Sequence, residues 1–155
     1  MSDESKYCSC NESELETLPD PLFRLVCHCK TCQQFFDSPY NDECTFILKD
    51  CPAIDLEDVE LKGYQKGYSP IKRGKCKRCG KISYCTIKVG PFPEFLMVPT
   101  ERLKSNEIPE PFAHIYYSSR QRDLDTQVRK IGGHFLSQLA IMWVVLKSLI
   151  RGRQA

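Results

Sequence analysis

The chain has 155 residues, of which 41% are apolar and 27% are charged. A chain of this length, with this proportion of apolar to charged residues, can bury a hydrophobic core of its own. The composition therefore excludes intrinsic disorder, and a membrane-embedded class, for the chain as a whole. Residues 1–60 hold 14 acidic and 4 basic residues and residues 61–155 hold 6 and 18, so the halves carry −10 and +12. We expect the halves to pair within one fold; the alternative is a basic face for phosphate or nucleic acid. Nucleic acid is therefore not the expected partner.

Ten cysteines are many for this length. They suit either disulfides in an oxidising compartment or metal thiolates in a reducing one. The first residues, MSDESKYCSC, carry two acids and no apolar run, unlike a secretory signal. We therefore expect a cytoplasmic or nuclear protein whose cysteines bind metal.

Short strands are expected along most of the chain. Residues 22–27, LFRLVC, alternate apolar and polar side chains after the turn signal Pro19-Asp20-Pro21. In all, four strands are predicted, at residues 22–27, 44–49, 82–88 and 112–118. The prolines between residues 91 and 111 leave room for only a short helical turn, at residues 101–106. The predicted fold class is mostly β.

The segment at residues 131–151 is predicted to be a C-terminal α-helix, because it lacks proline and the alternation of a strand. One stripe of apolar side chains consists of Phe135, Leu139, Met142, Leu146 and Ile150. Five more extend the apolar surface almost around the whole helix: Ile141, Trp143, Val144, Val145 and Leu149. Three roles are open: docking on its own domain, an interface for self-association or a protein partner, and a membrane anchor. The anchor is disfavoured because His134, Gln138 and Lys147 interrupt the roughly 20 apolar residues that a span needs.

Three motifs gather seven of the cysteines: CxC at Cys8 and Cys10, CxCxxC at Cys27, Cys29 and Cys32, and CxxC at Cys76 and Cys79. Thiolates at such spacings can converge on one Zn²⁺ from a tight turn. The two pairs would together provide the four ligands of a closed structural site, with Gly80 where a zinc knuckle turns through positive φ. The CxCxxC motif provides three ligands, the number of an ion left open to water or substrate. Two Zn²⁺ per chain are predicted.

The remaining histidines and cysteines have weaker signals. His28 lies between two predicted ligands, so its ring is expected to point away from the sulfurs, with a ligand or proton-shuttle role as the alternative. Cys44, Cys51 and Cys85 lack knuckle spacing and are expected to be plain core or surface thiols. His114 lies in a predicted strand and is expected to be packed there; a role in the site is the alternative.

The motif order CxC, CxCxxC, CxxCG, with PLFRLVCHCKTC around the second motif and FAHIYYSSR downstream, resembles the family of glutathione-dependent formaldehyde-activating enzymes and centromere protein V. The resemblance implies a mostly β, zinc-bearing β-tent fold of small antiparallel sheets. It implies a zinc-binding domain at residues 4–127, to which the helix at residues 131–151 is an extension. It also implies a structural zinc on Cys8, Cys10, Cys76 and Cys79, and a catalytic zinc on Cys27, Cys29 and Cys32.

The function implied by this resemblance is that of a carbon–sulfur lyase acting on a glutathione–aldehyde adduct such as S-hydroxymethylglutathione, which forms from glutathione and formaldehyde. As a hypothesis, the glutathione sulfur, or that of another small thiol, takes the open position on the second zinc. Basic residues such as Lys72, Arg73 or Arg120 would meet its carboxylates. Two alternatives stay open: a non-enzymatic, zinc-stabilised protein- or chromatin-binding module, and a sulfur-redox enzyme that uses the same cysteines.

Overall fold

The computed structural model describes residues 5–63, 70–104 and 108–152. Its strands are β1 (Phe23–Cys27), β2 (Asn41–Ile47), β3 (Val59–Lys62), β4 (Ile71–Cys76), β5 (Ile82–Ile87), β6 (Phe95–Pro99) and β7 (Ala113–Ile115). Its helices are α1 (Glu12–Leu15), α2 (Lys30–Phe36) and α3 (His134–Gly152). The strands form a seven-stranded sheet in the order β3-β4-β5-β6-β2-β1-β7. The predicted mostly β fold with an added C-terminal helix is confirmed, and the sheet is mixed because β1 and β7 pair in parallel.

The strand predictions agree with the structure to different degrees. The strands predicted at 22–27 and 82–88 are β1 and β5, and the one at 44–49 overlaps β2, which begins earlier. The one at 112–118 is too long, because Tyr116 adopts a φ of +53° and a 3₁₀ turn follows. The predicted turn at 101–106 begins as a 3₁₀ turn at Thr100–Arg102, while its residues 105 and 106 lie outside the described residues.

The chain divides into two compact units, of which the first comprises Met1–Asp20 and Thr45–Glu107. Here β3, β4, β5 and β6 pair in antiparallel fashion. Gly74 lies at a register shift between β4 and β5, where a Cβ atom would come within 2.3 Å of the Tyr84 carbonyl oxygen. Only glycine allows that approach. The core of this unit includes Phe46, Tyr84, Leu96 and Val98, all fully buried.

The second unit comprises Pro21–Cys44 and Ile108–Ala155. Its strands β1 and β7 run in parallel with Leu25 opposite Ala113, and Phe36 of α2 is fully buried. Arg24 on β1 donates two hydrogen bonds to the Asp42 carboxylate, of 2.8 and 2.6 Å, in the bidentate geometry that guanidinium groups favour. The prediction of a single domain at residues 4–127 stays a prediction.

Helix α3 belongs to the second unit and is held there by serine side chains. The Ser137 hydroxyl accepts the Tyr116 N–H at 2.8 Å, and the Ser148 hydroxyl donates to the Leu22 carbonyl oxygen at 3.4 Å. Within the described part of the chain, α3 is the one helix long and apolar enough to cross a membrane, and little of it is buried.

Candidate metal centres

Four thiols meet in the first unit, in what we call the four-cysteine cluster: Cys8, Cys10, Cys76 and Cys79. Their Sγ atoms all lie within 4.8 Å of one another. Four sulfurs bound tetrahedrally to one Zn²⁺ at 2.3 Å would be separated by about 3.8 Å, so small side-chain movements suffice to bind an ion. The donors suit a closed, thiolate-bound metal site, and the structure brings together the two pairs that the sequence analysis combined.

The turn after β4 positions two of these thiols. The Gly80 N–H donates to the Cys76 carbonyl oxygen at 2.8 Å, and the Cys76 N–H donates to the Lys81 carbonyl oxygen at 2.8 Å. Gly80 has a φ of +73°, as predicted for a knuckle. The tight turn points the thiols of Cys76 and Cys79 to the same side.

The other pair, Cys8 and Cys10, is held by contacts within the same unit. The Cys8 N–H donates to the Ile82 carbonyl oxygen at 2.8 Å. The buried guanidinium of Arg102 donates to the Cys8 carbonyl oxygen at 2.9 Å and to the Asn11 side-chain oxygen at 2.7 Å, and it lies over the Tyr84 ring. Arg102 therefore fixes the cysteine loop through its backbone.

The pKa values within this cluster differ between the thiols. Burial, followed by the neighbouring thiols, raises the pKa of Cys8 to about 12. Burial also raises the pKa of Cys76, but the N–H groups of Cys79 and Arg78 and the adjacent thiols outweigh it and lower that pKa to about 7. A divalent cation would stabilise the thiolate charge of the whole cluster.

Three thiols meet in the second unit, in what we call the three-cysteine cluster: Cys27, Cys29 and Cys32. Cys27 ends β1, Cys29 caps α2 by accepting the Cys32 N–H at 3.4 Å, and Cys32 lies in the first turn of α2. The three Sγ atoms lie within 4.8 Å of one another. Cys27 and Cys32 are buried and Cys29 is half-buried, so Cys29 lies on the side nearer to solvent.

This cluster has three donors, one fewer than a tetrahedral Zn²⁺ takes. Among the described residues, no further His, Cys, Asp or Glu lies within ligand distance of all three sulfurs. Hydrogen bonds with Cys29 and Cys32, and then burial, raise the pKa of Cys27 well above its ordinary value. Such crowded thiols become thiolates when a cation binds them. The two clusters could therefore each hold a metal ion, the second with a position left for an external ligand.

His28 is turned away from the sulfurs, as its position between two of them suggested. Its Nε2 lies 3.0 Å from Nδ1 of His114, and its ring packs edge-on against Tyr117 with the centroids 5.0 Å apart. Burial, followed by the neighbouring His114 and Arg120, lowers the pKa of His28 to about 4. The two imidazoles form a buried pair outside the three-cysteine cluster, which agrees with the expectation that His114 is packed.

Tyr116 is a candidate functional residue that the sequence patterns did not single out. Burial raises the pKa of its hydroxyl, and the charges of the thiols in the three-cysteine cluster raise it further. The hydrogen bond with the side-chain amide of Gln138 lowers it, but by less. The hydroxyl is therefore within electrostatic reach of these sulfurs and accepts a hydrogen bond from Gln138. Its φ of +53° is strained for a tyrosine, and such strain is concentrated at functional sites. The one signal in the sequence is its place in the FAHIYYSSR segment.

The predicted basic residues lie in different units. Lys72 is exposed and Arg73 is buried, both on β4 of the first unit. Arg120 lies in the second unit with the three-cysteine cluster, stacked over the Tyr117 ring at 4.6 Å and paired with Asp123 at 2.5 Å. Arg120 is therefore the predicted residue that shares a unit with this cluster.

The three cysteines without knuckle spacing, Cys44, Cys51 and Cys85, are buried and lie outside both clusters. The Cys51 thiol donates to the Ile47 carbonyl oxygen at 3.4 Å, and burial raises its pKa to about 11. A thiol in such a position behaves as a small core residue.

No curated protein matches the chain at a significant level. A family model does match it: the model described as glutathione-dependent formaldehyde-activating enzyme covers residues 4–119, which is well over half of the chain and includes both cysteine clusters. With that match and both thiol clusters in place, this chain belongs to the glutathione-dependent formaldehyde-activating enzyme family.

Proposed function

We propose that this chain is a zinc-dependent enzyme that acts on the adduct of a small thiol with an aldehyde, S-hydroxymethylglutathione being the representative case. The reaction is formally that of a carbon–sulfur lyase, and the family favours glutathione and formaldehyde as the partners. The observation that carries the proposal is the three-cysteine cluster, which offers three thiolates where a tetrahedral ion takes four ligands.

The chemistry is an addition. A bond forms between the thiol sulfur and the carbonyl carbon, the carbonyl π bond breaks, and the proton of the thiol ends on the oxygen, so that no oxidant or reductant is needed. A bound Zn²⁺ would supply a lowered thiol pKa or a polarised carbonyl oxygen. Cys27, Cys29 and Cys32 would hold that ion, and Cys8, Cys10, Cys76 and Cys79 would hold a second, structural one.

Two other side chains of the second unit have roles in this proposal. The Tyr116 hydroxyl, within electrostatic reach of the three sulfurs, donates a hydrogen bond and then its proton to the developing alkoxide, and the proton that the thiol loses restores the hydroxyl, so that one thiol proton in total is transferred to the product. Arg120 is the one of the three predicted basic residues that lies in this unit, and its guanidinium binds a carboxylate of glutathione. We further propose that the protein works in the cytosol or nucleus, because the two cysteine clusters can bind metal only while their thiols are reduced.

The test measures exchange between ¹³C-formaldehyde and S-hydroxymethylglutathione by NMR, with and without the zinc-loaded protein. The proposal expects exchange above the uncatalysed rate, lost in Cys27→Ser and kept in Cys51→Ser. Cys51→Ser is the matched control, because this buried thiol lies outside both clusters and a hydroxyl can also donate to the Ile47 carbonyl oxygen. Exchange no faster than in buffer, from a folded protein with two zincs, would reject the enzyme and leave the zinc-stabilised binding module.

A further inference from the structure

Helix α3 presents two different faces. At 3.6 residues per turn, the inner stripe is Ser137, Ile141, Val144 and Ser148, and it lies against the second unit. The outer stripe points the opposite way and consists of seven exposed apolar residues: Phe135, Leu136, Leu139, Met142, Trp143, Leu146 and Ile150. The helix is therefore docked through two serines and two β-branched apolar residues, while most of its large apolar side chains remain in solvent.

The outer stripe is too large to be an ordinary surface feature. Its side chains are between 40 and 71% exposed. With roughly 200 Å² for each large apolar side chain, the stripe exposes on the order of 750 Å² in four turns, more than the largest apolar patch of a typical monomer. Such a surface requires an apolar partner.

The charges around the stripe select the kind of partner. Residues 126–155 contain no aspartate or glutamate, and the helix itself carries Lys147 and Arg151. If two copies packed stripe against stripe, Lys147 and Arg151 would find no acid on the partner helix in either orientation, because α3 contains none. An anionic lipid surface, by contrast, complements apolar and basic residues together.

We propose that α3 is a membrane-surface helix, which stays docked through its inner stripe and buries its outer stripe in the interface of an anionic lipid bilayer. The polar residues that interrupt the apolar run in the sequence are no obstacle in this orientation. His134 and Gln138 lie on one flank, in contact with Tyr116, and Lys147 lies on the other, where it reaches the headgroups. A docked helix lies along the bilayer and does not cross it.

The chain provides its own probe, because Trp143 is the single tryptophan and lies on the outer stripe. The full-length, zinc-loaded protein is mixed with vesicles of phosphatidylcholine alone or with phosphatidylserine added. We expect co-flotation and a blue shift of the Trp143 fluorescence with the anionic vesicles. Lipids brominated near the headgroup should quench that fluorescence more than lipids brominated near the bilayer centre.

Two pairs of substitutions separate the apolar and electrostatic contributions. Leu139→Ser with Leu146→Ser should weaken vesicle binding by at least about a hundredfold, and Lys147→Gln with Arg151→Gln by about thirtyfold. Val89→Ser, which removes an exposed apolar side chain from the first unit, is the control and should bind normally.

Three results would overturn the proposal. If the protein binds no vesicle and sediments as a monomer, the outer stripe does not bind lipid. A concentration-dependent dimer that is lost in Leu139→Ser/Leu146→Ser, without vesicle binding, assigns the stripe to a second copy. Quenching of Trp143 chiefly from the bilayer centre means that the helix spans the membrane.

Discussion

Gly80 shows how one backbone angle builds the four-cysteine cluster. The φ of +73° turns the chain sharply after Cys79, and no atom lies within 4 Å of the place where a Cβ would be. A side chain there meets no steric obstacle, so its cost is purely conformational. The CxxCG motif was enough to predict both this angle and the metal-binding pair that it positions.

Gly80→Ala should therefore lower the free energy of unfolding by about 1–2 kcal/mol, the cost of a left-handed conformation for an L-residue. It should also weaken zinc binding by the four-cysteine cluster. Gly133→Ala is the matched control, because a Cβ there also meets nothing within 4 Å and its φ is not in the left-handed region. Urea unfolding and chelator competition measure the two effects, and equal losses in both variants would contradict the explanation.

Tyr116 could not be predicted from its pattern, because alternation placed it in a strand and its contact partners come from α3. If its hydroxyl donates a proton in the reaction, Tyr116→Phe should lower kcat by about a hundredfold, a typical effect of general acid catalysis. The zinc content and the thermal unfolding temperature should stay unchanged. A loss of zinc in this variant would show that Tyr116 supports the metal site and takes no part in the chemistry.

At the scale of elements, the strands with a clear hydrophobic pattern could be predicted, and the others could not. β1 follows a turn signal and β5 is rich in β-formers, whereas β6 follows prolines and is buried on both faces, which removes the alternation. β4, with its basic residues and Gly74, resembles a loop by composition. It pairs with β3 and β5, its neighbours in the chain, but its own composition contains no sign of that pairing.

The docking of α3 gives a prediction at this scale. Ser137 is fully buried and accepts the Tyr116 N–H at 2.8 Å, so Ser137→Ala should destabilise the protein by about 1–2 kcal/mol, because it leaves the partly buried Tyr116 N–H without this acceptor. Ser148→Ala removes a longer bond from a half-buried position, 3.4 Å to the Leu22 carbonyl oxygen, and should cost less. Thermal unfolding compares them, and a larger loss in Ser148→Ala would mean that the docking depends on the C-terminal half of the helix.

At the scale of the whole molecule, the two clusters close chain segments of very different length. The four-cysteine cluster connects Cys10 to Cys76, while the three-cysteine cluster lies within residues 27–32. Closing a long segment restricts the unfolded chain more than closing a short one. The sequence motifs predicted both ligand sets, and the fold brings the members of each set together.

Loss of the ion bound by the four-cysteine cluster should therefore lower the free energy of unfolding more than loss of the ion bound by the three-cysteine cluster. Cys79→Ser and Cys27→Ser should each retain one zinc, and the unfolding temperature should fall further in Cys79→Ser, by roughly 10 °C or more. Calorimetry together with zinc analysis provides the comparison. A larger fall in Cys27→Ser would make the three-cysteine site the structural one.

The most direct test of an open zinc site is the sulfur count around the metal, measured by zinc-edge X-ray absorption on protein whose zinc content is known. Seven cysteine sulfurs shared by two ions give an average of about 3.5 sulfurs per zinc. An open second site predicts two zincs per chain and a rise to about 4 sulfurs per zinc when glutathione is added. A single zinc, or a sulfur count that glutathione leaves unchanged, would contradict it.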